Sequence, residues 1–313
     1  MEKLKINVAV VNGCLGTVGS ALVRKLIEHG VKTYAVVYPG APYEDVVHPD
    51  ATIIQCDMRE LDKLPAMIGE TADAYFHLAW MGTIGPNRDN MLLQTENIRC
   101  AVEAVAAAKQ MGCQVFVGTG SQAECGRIEG LVQQDSPCNP TNGYGIAKLC
   151  AGQMTRIECR KQGLRHVWGR ILSAYGPNDG PLSLFPSMME KLLQGEKPIL
   201  TAGEQMWDFL YADDVAEALF CMASSGKDGS TYPIGSGEAR PLRDYFYILR
   251  DAVDPALPLG IGEMPYVPNQ VMHLQADITP LQNDTGFAPS VPFEKGIQIT
   301  LECYKKARES NKR

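Results

Sequence analysis

The sequence predicts an α/β protein: a doubly wound parallel sheet followed by a smaller mixed α/β lobe. Three observations carry this. Short apolar, β-branched runs alternate with helix-like patterns through residue 170, as strands buried on both faces of a parallel sheet require. A glycine-rich turn follows the first of these runs at once and opens into an amphipathic helix. Beyond residue 170 the alternation breaks into segments rich in Pro and Gly, at 178–186, 195–198, 255–262 and 265–269. The expected division is residues 1–170, completed by elements near 205–235, and a lobe over 171–313.

Composition narrows the classes. The chain has 313 residues, enough for a large core, and a hydrophobic fraction of 45%, ordinary for a globular protein. Its net charge of −7, with no long run of Lys or Arg, leaves no footprint for nucleic acid or a membrane surface. Met1–Ile6 runs straight into a strand pattern without a signal segment, and no apolar stretch is long enough to span a bilayer. Ten scattered cysteines show no Cys-x-x-Cys and no metal-ligand spacing. Reduced thiols in a cytoplasmic setting are expected, with no metal.

The first strand is Ile6–Val11 and the loop Asn12–Gly19. Gly13 allows a tight turn, Gly16 lets the backbone approach a pyrophosphate, and Gly19 lets the next helix pack close to the strand. That helix, Ser20–His29, carries Ala21, Leu22 and Leu26 on one face and is closed by Gly30. Its N-terminus, beginning at Thr17 and Val18, offers free N–H groups and a positive dipole end to phosphates. Strand, glycine loop and helix in this order are a dinucleotide-binding context. Much later, Tyr144 and Lys148 stand four residues apart at the start of a helix-like run that follows the turn-rich Asn139–Gly143 and ends near Gly163. Four residues is one helical turn, so phenol and ammonium share a face. A phenol titrates near pH ~10, and a neighbouring cation favours its phenolate. By itself the pair reads as a solvated helix face.

The Gly-x-x-Gly-x-x-Gly spacing together with Tyr144-x-x-x-Lys148 resembles the extended short-chain dehydrogenase/reductase family, in particular its nucleotide-sugar epimerases, dehydratases and ketoreductases. The resemblance covers nearly the whole chain and implies a Rossmann-type doubly wound parallel sheet with a C-terminal substrate lobe. It implies roles in chain order. The second strand, Thr33–Tyr38, ends where such proteins read the adenosine ribose; Tyr38 stands in place of the acid that would bind the 2′-hydroxyl of NAD, which leans the expectation towards NADP. Asp57, with Met58, matches the adenine-contacting segment, or else Asp57 caps the helix expected over Leu61–Ile68. His77, Leu78, Ala79 and Trp80 match a strand end passing beneath the cofactor, with His77 a packed residue. Asn97 matches a buried asparagine that ties its long helix to the neighbouring strand.

Ser121, at the end of the fifth strand, matches the catalytic Ser or Thr. With a nicotinamide cofactor, Tyr144 is then the proton carrier, Lys148 lowers its pKa, and Ser121 orients the substrate oxygen. Dehydratases of this kind place an Asp-Glu pair right after the Ser or Thr, because eliminating water needs both an acid and a base. Here Gln122 and Ala123 follow, and Glu124 falls one position late. The 3,5-epimerase/reductases place a Cys two residues after the Ser; Ala123 is there and Cys125 is out of register. The resemblance therefore implies a 4-ketoreductase of a nucleotide sugar, with an NAD-dependent 4-epimerase or a non-catalytic dinucleotide-binding regulator as alternatives. Gln122, Ser173, Trp207 and Arg240 are the expected substrate contacts. Trp207 replaces an arginine that grips nucleotide phosphates in relatives, so Arg170, Arg240 or Arg243 has to compensate, or Trp207 stacks on the substrate, or it is core. The segment Trp207–Val215 is expected to return to the sheet, and a homodimer through Ala101–Gln110 and Tyr144–Arg160 is implied.

Overall fold

The computed structural model describes residues 3–268 and 270–310. Met1 and Glu2, which open the expected N-terminal pattern, Asn269, which ends one expected loop, and residues 311–313 of the charged tail lie outside the described residues. The first strand, Val8–Asn12 (β1), has Ala9, Val10 and Val11 fully buried. Thr17–Glu28 (α1) follows the glycine loop and stops before Gly30, whose left-handed backbone no β-branched residue would adopt cheaply. Next come Lys32–Val37 (β2) and Thr52–Gln55 (β3). The helix expected over Leu61–Ile68 is split into a 3₁₀ turn, Leu61–Lys63, and Leu64–Ile68 (α2), at Pro65, which has no N–H to continue the first turn. Ala74–His77 (β4), Met91–Gln110 (α3) and Val115–Ser121 (β5) complete the first half.

Gly130–Val132 (β6) lies outside the main sheet, and Gly143–Gln162 (α4) leads to Arg165–Ile171 (β7). The remaining elements are shorter: Ala174–Tyr175 (β8), Leu184–Leu193 (α5), Ile199–Leu200 (β9), Met206–Trp207 (β10) and Leu210–Tyr211 (β11). After them come Ala212–Ser225 (α6), Ser230–Ile234 (β12), Arg240–Pro241 (β13), Leu242–Val253 (α7) and Gly260–Ile261 (β14). His273–Ala276 (β15), Thr279–Thr285 (α8) and Phe293–Ser310 (α9) close the chain.

Seven strands form one parallel sheet in the order β12-β7-β5-β4-β1-β2-β3, the doubly wound architecture expected. The winding reverses between β1 and β4, and a crevice opens beyond their C-terminal ends. One apolar layer, with Leu22, Leu26, Val215 and Leu219, covers one face; Leu61, Leu64, Ala104 and Phe116 belong to the layer on the other. The lobe has its own core, rich in aromatic rings: Tyr175, Phe185, Tyr211, Phe246 and Phe293. No helix among the described residues is long and apolar enough to cross a membrane.

One expectation fails. Trp207–Val215 does not rejoin the large sheet: β10 pairs within a four-stranded sheet, β13-β10-β15-β6, and β11 pairs with β8. Between them Asp208, fully buried, accepts the backbone N–H groups of Ser236, Gly237 and Ala276 and so belongs to the lobe. The place beside β7 goes instead to β12, whose Tyr232 and Ile234 are fully buried.

Candidate active site

The glycine loop sits over the point where the winding reverses. Gly13 has φ +97°, and a Cβ there would stand 2.3 Å from the Ala79 amide nitrogen. Leu78 and Ala79 can therefore lie against the loop, and both donate N–H bonds to the Asn12 carbonyl, at 2.8 and 2.9 Å. A Cβ on Gly19 would come within 2.0 Å of the Gly13 carbonyl oxygen, so this glycine sets how close α1 packs. Gly16 differs, since no protein atom lies within 4 Å of the space its Cβ would take, and that space faces a cavity. Gly16 caps α1 with no side chain bonded to the first amides, which leaves the N–H groups of Thr17 and Val18 as donors. A dinucleotide's pyrophosphate fits this cradle on size and sign of charge.

From the loop a cavity of about 550 Å³ reaches the ends of β2 and β3, where Tyr38, Asp57 and Met58 line it. Arg59 lines it too and was not singled out from the sequence. Its guanidinium bonds both Asp57 oxygens, at 2.9 and 2.5 Å, and its N–H donates to Asp57 Oδ1 at 2.9 Å. This pairing holds the Asp57 carboxyl down at about 2. The available signal was the Asp-x-Arg spacing on a strand-end turn. Asp57 caps no helix: Glu60 and Lys63 hold those positions. Under the crevice His77 is sealed between Tyr75 and Phe116, with neither ring nitrogen bonded, and burial pushes its pKa down to about 3. That is a packed neutral imidazole, as expected. Asn97, completely buried, holds Met81 just past β4 by a pair of 2.9 Å bonds to its N–H and carbonyl.

A second cavity of about 250 Å³ contains Ser121, Tyr144 and Lys148 and shares Gly13, Gly16 and Trp80 with the first. The two make one groove. Neither Tyr144 (9% exposed) nor Lys148 (4%) lies on a solvated face. Their helix is fixed at its start by Asn142, whose Oδ1 accepts the Gly145 N–H at 2.8 Å, and by Asp89, which accepts the Gly143 N–H at 2.8 Å. A Cβ on Gly145 would stand 2.3 Å from the Ala123 carbonyl oxygen, so the first turn of α4 rests directly on the turn that follows Ser121. Lys148 Nζ donates to the Thr119 carbonyl at 2.7 Å, lies 3.9 Å above the Trp80 ring and is 5.9 Å from the centre of the Tyr144 ring. Trp80 meets Tyr144 edge-on at 6.2 Å. Burial pulls the Lys148 ammonium down to about 7, against the opposing charge of Glu124. Burial also raises the Tyr144 phenol, while Ser121 and the charge of Arg88 pull it down.

Glu124 is the pivot of the turn below. It is 1% exposed, and its carboxylate accepts the Ser121 N–H at 2.8 Å, the Trp168 indole at 3.0 Å and Arg170 Nε at 3.0 Å. With those donors satisfied inside the protein, it faces away from the groove.

The expected substrate contacts are only partly gathered. Gln122 is half-buried next to Ser121. Ser173 follows Leu172, a groove residue, and accepts the Trp207 indole N–H at 2.8 Å. Trp207, half-buried, also accepts the Tyr245 hydroxyl on its carbonyl at 2.8 Å. Arg240 is placed apart from these: it pairs with Glu294 at 2.7 Å and lines a separate cavity beside Tyr245 and Phe293. Arg170 cannot grip a ligand's phosphates either, because it is buried against Glu124. Arg243 is exposed on α7.

Comparison with known proteins agrees with this architecture. The dTDP-glucose 4,6-dehydratase of Escherichia coli is 29% identical over 172 residues, which span 53% of this chain and 48% of that protein. The dTDP-glucose 4,6-dehydratase of Streptomyces griseus is 25% identical over 315 residues, 96% of this chain and 94% of that one. The UDP-glucose 4-epimerase of Thermotoga maritima, solved with UDP-glucose, superposes with a TM-score of 0.86 at 22% identity, covering 96% and 99% of the two chains. A model of the NAD dependent epimerase/dehydratase family matches residues 9–235, from within β1 to just past β12. All of the large sheet except Val8 falls inside that match, and the chain belongs to this family of enzymes.

Proposed function

We propose that the protein is an NADPH-dependent 4-ketoreductase acting on a nucleotide-linked deoxyhexose. One observation carries the reading: the carboxylate nearest Ser121 is turned out of the groove and neutralised by Arg170. The groove keeps a proton carrier and loses the acid–base pair that eliminating water needs. Tyr144 gives its proton to the C4 carbonyl oxygen as charge develops there, and the Ser121 hydroxyl donates to the same oxygen. Lys148, held in place by Thr119 and Trp80, stabilises the phenolate left behind. A reduced nicotinamide held by the glycine loop would supply the hydride. Ketone, hydride and proton give the alcohol, and Tyr144 regains its proton from solvent.

Tyr38 and Arg59 favour NADPH. No acid at the end of β2 repels a 2′-phosphate, and Arg59, held by Asp57 through Nε and Nη2, keeps its side chain 57% exposed with Nη1 left for a ligand in the same cavity. Gln122, Ser173 and Trp207 border the sugar, and residues 171–313 form most of the substrate lobe. Two chains pair through α3 and α4, since Ile146, Met154 and Ile157 leave an apolar stripe 44–51% exposed along α4.

The test incubates the purified protein with NADPH, or NADH, and CDP- or dTDP-linked 4-keto-6-deoxyhexoses while following loss of the reduced cofactor's absorbance. Oxidation with at least one sugar is expected. Tyr144→Phe should slow it by about 10²–10⁴-fold, the range of a lost general acid, with cofactor binding intact. No oxidation with any of the sugars would sink the reading, and interconversion of 4-hydroxy sugars without net cofactor use would put a 4-epimerase in its place.

A further inference from the structure

We propose that Arg88 is a second cation for Tyr144, a positioning residue that holds the phenolate from outside the lining of the groove. This rests on the reading of Tyr144 as the proton carrier. Arg88 lies in the segment Gly85–Asp89, and its guanidinium carbon sits 4.3 Å from the centre of the Tyr144 ring, closer than the 5.9 Å of Lys148 Nζ. It lines neither cavity that makes up the groove, so it reaches the chemistry through the tyrosine and not through substrate.

Its segment is docked where this requires. Asp89 accepts the Gly143 N–H, and a Cβ on Gly143 would stand 2.9 Å from the Arg88 carbonyl oxygen, so residues 88–89 rest on the first turn of α4. Gln94 Nε2 braces the segment through the Asn87 carbonyl at 2.9 Å. Arg88 Nη1 donates to the Thr83 carbonyl at 2.9 Å. No carboxylate among the described residues lies within ion-pair distance of Arg88, which leaves its charge uncommitted.

The groups facing Tyr144 from each packed element are few. Arg88 and Asp89 come from this segment, Lys148 from the tyrosine's own helix, Ser121 and Glu124 from the turn after β5, and the uncharged Trp80 from beyond β4. Asp89 is occupied with a backbone amide, and Glu124 with Arg170. Burial raises the phenol; Ser121 and Arg88 oppose it, and Glu124 adds to it.

The experiment titrates Tyr144 directly. The ultraviolet phenolate signal of the wild-type protein minus that of Tyr144→Phe is followed against pH, and the same difference is taken in an Arg88→Met background and an Arg88→Lys background. A charge at this separation in a partly exposed setting is worth about one pH unit. We expect the midpoint to rise by about that much in Arg88→Met and to return most of the way in Arg88→Lys. The pH limb of kcat/KM should move by the same amount, with KM unchanged. An unmoved midpoint would overturn the proposal, and a raised KM with an unmoved midpoint would make Arg88 a substrate ligand instead. The titration needs no substrate. Absence of turnover with every sugar would therefore count against the ketoreductase reading and leave Arg88 to be decided by the midpoint.

Discussion

On the wall of the groove built by the parallel sheet, the polar groups are braced from behind and left open in front. Lys148 leans on Thr119, the turn after Ser121 is locked by Glu124, and Tyr144 rides on a helix start pinned by Asn142 and Asp89. In the lobe, the same kinds of groups bond to one another. Arg240 is taken by Glu294, Trp207 by Ser173, and the buried Asp208 by three backbone amides. The sheet wall holds its side chains ready towards the groove, whereas the lobe's groups hold its own short strands together. Such contacts are individually weak: a half-exposed pair such as Arg240–Glu294 is worth only about 0–1 kcal/mol.

The contrast can be broken most forcefully at Glu124. Replacing it with Ala strands Arg170, the Trp168 indole and the Ser121 amide without their partner in the interior, which should cost about 3–5 kcal/mol. Arg240→Ala, in the lobe, should change stability by less than about 1 kcal/mol. Denaturant midpoints of the two variants decide it, and comparable losses would erase the difference between the two regions.

How much of this the sequence disclosed follows the same line. The gathering of the glycine loop, Ser121, Tyr144 and Lys148 was legible because it depends on backbone geometry and fixed spacing within single strand–turn–helix units. Gly13 has the left-handed φ that its place in the turn called for, and Gly19 has the close contact. Arg88 was not, since it meets Tyr144 only through folding, and Arg59 was passed over although its Asp-x-Arg spacing to Asp57 stood in the sequence. The lobe was least legible. Its four-stranded sheet joins β6, β10, β13 and β15, drawn from widely separated stretches, three of them only two or three residues long or little more. Runs that short carry no periodicity to read, and β12 was accordingly expected one helix too early.

The neutral His77 beneath the sheet wall allows a pH test. Its folded pKa of about 3 lies below the ordinary imidazole value of ~6.5, so between these limits the unfolded chain binds the proton first. The stability it contributes is complete above pH ~6.5 and is lost as pH falls towards 3, by about 1.4 kcal/mol per pH unit. His77→Phe should remove this component, so its stability should fall less steeply than the wild type's between pH 6 and pH 4, roughly within that window. Parallel curves would mean that His77 is not held neutral.

The smallest effect is expected at the far end of the groove. Arg59→Ala should weaken NADPH binding by about tenfold, the loss of one charge-assisted phosphate contact, and leave NADH nearly unchanged. Equal losses for both cofactors, measured by fluorescence titration, would remove Arg59 as the reader of the 2′-phosphate.

The central claim is hydride transfer without elimination, with net reduction at C4. Its most direct measurement uses cofactor carrying deuterium on the transferred position of the reduced nicotinamide, a nucleotide-linked 4-keto-6-deoxyhexose, and mass spectrometry of the sugar product. The expected result is one deuterium at C4 for each cofactor oxidised and none elsewhere. A product that has lost water, or C4 inversion without deuterium and without cofactor consumption, would contradict it.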